Sequence, residues 1–153
     1  MTRVILFGIS VMFFGASTVA AWYQGSNLVD SQSEWKYTAV FSKWLNGTDL
    51  TAENISQLDF FVYSVKYQPV FPVIMLISFV YILIALGERL LKRGASLFIG
   101  AVALCLFVGA VVVSRSPTDG AKLFMVALIG VGVCLIGYLV WLWKSKKVDE
   151  LLT

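Results

Sequence analysis

The sequence predicts an all-α membrane protein: four transmembrane helices, both termini cytoplasmic, and a mainly helical extracellular cap between helices 1 and 2. Three observations carry that expectation. The 153 residues are 59% hydrophobic and 14% charged, against roughly half and a quarter in soluble domains. The apolar excess falls in blocks, so hydrocarbon is the natural solvent for most of the chain. Lysine and arginine gather beside alternate ends of those blocks.

The clearest block runs from Val73 to Leu86 without a charge and is followed by Glu88, Arg89, Lys92 and Arg93. It reads as a span over about 71–91 that ends in a charged turn. Pro69 and Pro72 fix its start, because proline is tolerated in a first helical turn and disfavours helix in the residue before it. The external segment should therefore break at Gln68, with the helix starting near Val70 to Pro72.

The first span covers about 4–22, with Arg3 before it and Trp22 and Tyr23 as interfacial aromatics. An uncleaved helix is favoured here. A cleaved signal peptide, with Thr18-Val19-Ala20 as its small-x-small site, is the alternative. Both place the next segment across the membrane. The third span, about 95–114, follows Arg93-Gly94 directly and makes a tight hairpin with the second. The fourth, about 121–143, ends in Trp141 and Trp143 and is followed by Lys144, Lys146 and Lys147. The whole chain, 1–153, reads as one membrane domain.

Segment 24–68 is the long polar part. Ser31 and Glu34 have capping-box spacing. After them Tyr37, Val40, Phe41, Trp44 and Leu45 recur as one face of an amphipathic helix, and Asn46-Gly47-Thr48-Asp49 makes a turn. A second helix is expected from near Thr51, with Ile55, Leu58, Val62 and Val65 on one face. Residues 60–67 also alternate as a strand would. Helix is preferred there, because a lone strand has no partner to pair with.

Orientation follows from counting. Arg3, Arg89, Lys92, Arg93, Lys144, Lys146 and Lys147 fall on one side. Lys36, Lys43, Lys66, Arg115 and Lys122 fall on the other, over far more chain. The bias places both termini in the cytoplasm and segment 24–68 outside.

The chain is poorly supplied for catalysis. It has two cysteines and no histidine, and no ionisable residue lies in the middle of a span, where ion-coupled carriers keep them. No catalytic, cofactor-binding or metal-binding residue is assigned. No basic stripe interleaved with aromatics points to nucleic acid. Cys105 and Cys134 read as small packing residues in helix contacts, with membrane thiol redox chemistry as the rival use. Ala16 with Ala20, Ser96 with Gly100, and Gly130 with Cys134 have small-xxx-small spacing, which serves contacts inside one bundle or self-association.

The external aromatics are the functional candidates: Trp35, Tyr37, Phe41, Trp44, Phe60, Phe61, Tyr63 and Tyr67. They either pack a cap onto the helix ends and lipid headgroups, or form a surface that docks another membrane protein. The expected function is that of a non-enzymatic accessory or interaction protein, its partners the bilayer and another membrane protein or a second copy. A binder of lipid or a small apolar molecule is the first alternative. It would need an apolar cavity above about 300 Å³ between the cap and the helix ends.

The stretches from Ala21 (AWYQGSNLVD), Glu34 (EWKYTAVFS) and Ile55 (ISQLDFFVYSVKYQPVFPVIMLISFVYILI) resemble the small YjdJ-type membrane proteins of spore-forming Gram-positive bacteria, a domain of unknown function. The likeness covers roughly Ala21 to Ile84. It implies a bacterial plasma membrane, where the patterns at Asn46 and Asn54 are not glycosylated. It implies no activity, cofactor or site residue, and it leaves spans three and four outside.

Overall fold

The computed structural model describes residues 1–47, 49–91 and 94–151, with side chains through 145. Thr48 of the expected turn, Lys92 and Arg93 of the charged hairpin, and the side chains of Lys146, Lys147, Asp149 and Glu150 lie outside the described residues. Seven α-helices and two 3₁₀ turns follow one another, with no strand among the described residues.

Helix α1 is Thr2–Gly25, α5 is Val70–Leu91, α6 is Ala95–Val113 and α7 is Asp119–Leu151. All four are long and apolar enough to cross a membrane. At 1.5 Å per residue, the 19 residues of α6, the shortest, span about 28 Å, close to the hydrocarbon thickness of a bilayer. Residues 60–67 are helical, as preferred over strand, and Pro69 accepts from the Val73 amide inside the first turn of α5.

The long helices form two antiparallel hairpins, α1 with α5 and α6 with α7. In the first, Phe14 stacks on Phe79 at 5.5 Å. In the second, Gly132 admits the ring of Phe107, and Gly100 and Gly109 lie against Leu139 and Leu128. The hairpins meet where Gly87 of α5 receives the Phe98 ring and where Val80 joins Ile99, Ala103, Leu106, Ala110, Leu128 and Leu135 in one core. Small residues lie inside: Ser17, Ala21 and Ser78 are also buried. Ser17 donates to the Phe13 carbonyl at 2.6 Å, so its hydroxyl is satisfied within its own helix. Leucines, valines and isoleucines cover the outside. That distribution is compatible with a multi-pass membrane protein and is the reverse of a water-soluble bundle.

The small pairs expected at helix contacts do not all serve there. Gly130 and Cys134 both face outward, as do Ala16 and Ser96. Contacts within the molecule are made at Gly100, a member of one expected pair, and at Gly87, Gly109 and Gly132. Neither cysteine is the buried packing residue expected: Cys105 and Cys134 are free and exposed. The register that sets Phe107 against Gly132 and Gly100 against Leu139 puts the two cysteines at one level, yet no bond joins them.

Between α1 and α5 the chain forms a compact cap. A 3₁₀ turn at Ser26–Leu28 leads to α2, Gln32–Thr38, and α3, Val40–Asn46. A second 3₁₀ turn, Ala52–Asn54, precedes α4, Gln57–Tyr67. Gly47 ends α3 with φ +75° and ψ −150°, a backbone conformation that glycine alone adopts without a steric cost.

Helix α4 is the crossbar of the molecule. It packs on the C-terminal end of α1 and the N-terminal end of α7, and so ties the two hairpins together. A Cβ at Gly25 would sit 2.0 Å from the Phe60 carbonyl oxygen, and one at Gly120 would sit 2.2 Å from that of Lys66. No other residue fits at these crossings without moving backbone.

Candidate functional site

The expected amphipathic helix carrying Tyr37 to Leu45 is two helices, broken at Ala39 with ψ +63°. The break has a cause 20 residues along the chain. Asp59, fully buried, takes the Phe41 amide on Oδ1 at 2.8 Å and the Ser42 amide on Oδ2 at 2.8 Å. It also takes the Ser42 hydroxyl at 2.5 Å, and that hydroxyl accepts from the Ser56 amide at 2.7 Å. A carboxylate bonded to the first-turn amides of α3 offsets the helical hydrogen bonds lost at Ala39. The capping box expected from Ser31 and Glu34 is not made. The Ser31 hydroxyl donates back to the Asn27 carbonyl at 3.0 Å.

Lys66 closes the other side of the cap, donating to the Tyr37 carbonyl at 2.7 Å and to the Thr38 hydroxyl at 3.0 Å. Burial pushes its ammonium below the usual lysine range; the nearby Glu34 carboxylate opposes that shift and Lys43 adds to it. Burial, with Glu34 second, pushes the Tyr67 hydroxyl up to about 12.

The eight aromatic candidates separate into two groups. Phe60, 8% exposed, joins Leu28 and Ile55 in the cap core, with Trp35 and Tyr63 packed on it. The Trp35 indole donates to the Leu28 carbonyl at 2.8 Å, so this ring serves the fold. Tyr63 lies 4.7 Å from the partly exposed Tyr67, and Phe61 is half-buried. The apolar face read from Ile55, Leu58, Val62 and Val65 is not the one α4 buries: Leu58 is exposed, while Asp59, Phe60 and Ser64 are buried. The second helix begins at Gln57, not near Thr51.

Tyr37, Phe41 and Trp44 remain as surface. Trp44 is 84% exposed and Tyr37 65%, and Phe41, Val40, Leu45 and Leu58 are exposed beside them. Helix α3 is thus inverted: its one buried residue is Ser42, and its apolar residues point away from the molecule. The sequence shows its apolar periodicity but not which way that face turns. Asp59, which decides the direction, is one carboxylate among several in the segment.

A cavity of about 810 Å³ lies at the opposite end of the long helices, between α1, α5 and α7. Its walls include Val4, Phe7, Val80, Ile84 and Leu135, and Arg3, Glu88, Arg89 and Tyr138 stand at one end. Tyr138 donates to Glu88 Oε1, while Oε2 lies 3.9 Å from Arg3. A smaller apolar groove of about 330 Å³ runs between Val70, Val73 and Ile74 of α5 and Leu123, Val126 and Ala127 of α7, with no cap residue in its lining. The large cavity is therefore not where the lipid-binder alternative expects it. Among the described residues no group of three or more His, Cys, Asp or Glu is placed to hold a metal ion.

Residues 4–91, which comprise most of α1, the cap and α5, match the family model described as a domain of unknown function, DUF4306. The chain is also 49% identical over 85 residues to the uncharacterized protein YjdJ of Bacillus subtilis (strain 168), which covers 54% of this chain and 78% of that relative. The match reaches further toward the N-terminus than the resemblance over Ala21 to Ile84, taking in the first helix, and it leaves α6 and α7 outside. No solved structure matches the chain.

Proposed function

This chain belongs to the DUF4306 family, and we propose that it is a multi-pass protein of a bacterial plasma membrane with its termini cytoplasmic and its cap outside. In this reading it is a non-enzymatic interaction protein, and the outward face of α3, Val40, Phe41, Trp44 and Leu45, with Tyr37 of α2 beside it, docks another membrane protein.

The orientation rests on the sequence, in which seven lysines and arginines crowd beside one set of span ends and five are spread over the longer segments on the other side. The docking surface rests on the inversion of α3. A short helix that buries a serine and exposes a tryptophan, a phenylalanine, a valine and a leucine is stable there only because Asp59 and Ser56 hold its inner face. A helix free to choose would turn its apolar side inward. Exposed apolar patches rimmed by polar groups mark interaction surfaces, and aromatic residues dominate binding energy at such surfaces.

The test is photocrosslinking in living membranes, with a crosslinking residue at position 44 and a control at Glu53 in the same cap. A discrete protein adduct from position 44, absent from position 53 and lost when Phe41→Ser is added, supports docking. Adducts to lipid alone from position 44 overturn it.

A further inference from the structure

We infer that the cleft between the α1–α5 hairpin and α7 is a specific site for one anionic phospholipid. An acyl chain would lie along the apolar walls and the phosphate would meet Arg3 and Arg89. The inference rests on the membrane reading above but not on the docking role of α3, which lies at the other end of the molecule.

The two hairpins are joined at the cap end, at Val80 of α5 within the shared core, and at the far end. At the cap end α4 bridges Gly25 and Gly120. At the other end Tyr138 donates to Glu88, and Phe98 fills the space over Gly87. Between these ties a cavity of about 810 Å³ stays open, inside the range of about 300–1,000 Å³ usual for ligand sites. Wall residues Leu6 and Ile77 are exposed on the outside of the bundle, so the cleft opens sideways. An apolar void of this size forfeits dispersion contacts along its whole lining, and in a bilayer the abundant molecule that restores them is a lipid chain.

The charges at the mouth select the headgroup. Glu88 is the acidic residue of the lining, and both its oxygens face groups of the protein, Tyr138 and Arg3. Two guanidinium groups stand against that one carboxylate. The Arg3 side chain is 92% exposed and Arg89 is exposed, so both retain donors for a phosphate, whose oxygens they match in geometry. The cleft also lies on the seam between the region shared with the family and the hairpin outside it. Leu135 and Tyr138 supply the wall that α1 and α5 lack.

Native mass spectrometry of the full chain, in mild detergent with defined lipids, tests the inference. Wild type should retain one phosphatidylglycerol at least about tenfold over a phosphatidylcholine of the same chains, given about 1 kcal/mol per basic residue near an anionic surface. The double variant Arg3→Gln/Arg89→Gln should abolish that preference while still retaining chains. Ala85→Phe, which fills the cleft and leaves the arginines in place, should abolish retention of either lipid. Trp44→Ala should change neither. Equal retention of the two lipids by wild type, or competition by soluble glycerophosphate as strong as by the lipid, overturns the inference and leaves the α3 reading intact. Recovery of the chain in the soluble fraction overturns both.

Discussion

The hairpins and the cap bury different things, and the contrast explains α3. In the hairpins, serine, alanine and glycine face inward at Ser17, Ala21, Ser78, Gly87 and Gly132 beside a core of Val80, Ile99, Leu106, Leu128 and Leu135, and many other large aliphatic residues face outward. In most of the cap the order is that of a water-soluble protein: Leu28, Ile55 and Phe60 are inside, while Asp30, Asp49 and Glu53 are exposed. Helix α3 departs from its own region and follows the hairpin rule, with Ser42 inside and Trp44 outside. On the docking role proposed above, this outward apolar face, held by a buried carboxylate, is the part that would meet an apolar surface outside the chain.

The most damaging way to break the contrast is Asp59→Ala. It strands the Phe41 and Ser42 amides and the Ser42 hydroxyl, and should cost the cap about 3 to 5 kcal/mol. Trypsin cleavage at Lys36 and Lys43 should rise strongly while the long helices keep their far-ultraviolet signal. Gly120→Ala comes next. Its Cβ meets the Lys66 carbonyl, so about 1 to 3 kcal/mol should be lost from thermal unfolding in detergent. Gly130→Ala, with nothing within 4 Å, should leave the midpoint unchanged. Trp35→Phe sharpens the division among the aromatics: loss of the bond to Leu28 should cost about 1 kcal/mol, whereas Trp44→Phe should stay within about 0.5 kcal/mol. The smallest effect is on pH dependence. Tyr67 has its folded pKa raised from 10.0 to about 12, so its contribution is complete below pH 10 and disappears as pH rises through 12. Tyr67→Phe should flatten that part of the unfolding profile measured by near-ultraviolet dichroism.

The four apolar helices were legible because hydropathy in blocks is a local property, and so was the break at Gln68; the expected hairpin of spans two and three was not, since α5 packs chiefly on α1 and α6 on α7. The cap was legible only where local signals went unopposed. The α2–α3 break at Ala39 depends on Asp59, distant in sequence, and a periodicity running from Tyr37 to Leu45 gives no hint of it. The buried face of α4 does not follow its apolar residues, because Asp59 answers partners on α3 and Ser64 bonds locally to the Gln68 carbonyl. The division of the candidate aromatics into Trp35 and Phe60 within and Tyr37, Phe41 and Trp44 without was likewise set by tertiary contacts. Nothing in the sequence marks the cleft, since its walls come from three helices and its space is what their side chains fail to fill.

The two glycine crossings under α4 have a mechanical consequence. Helix α3 hangs from α4 and touches none of the long helices extensively, so the attitude of its tryptophan relative to the bundle is inherited through a beam resting on two bare backbones. A single methyl group under either bearing, far from any aromatic residue of α3, would tilt the whole platform and re-aim its surface without altering one atom of it.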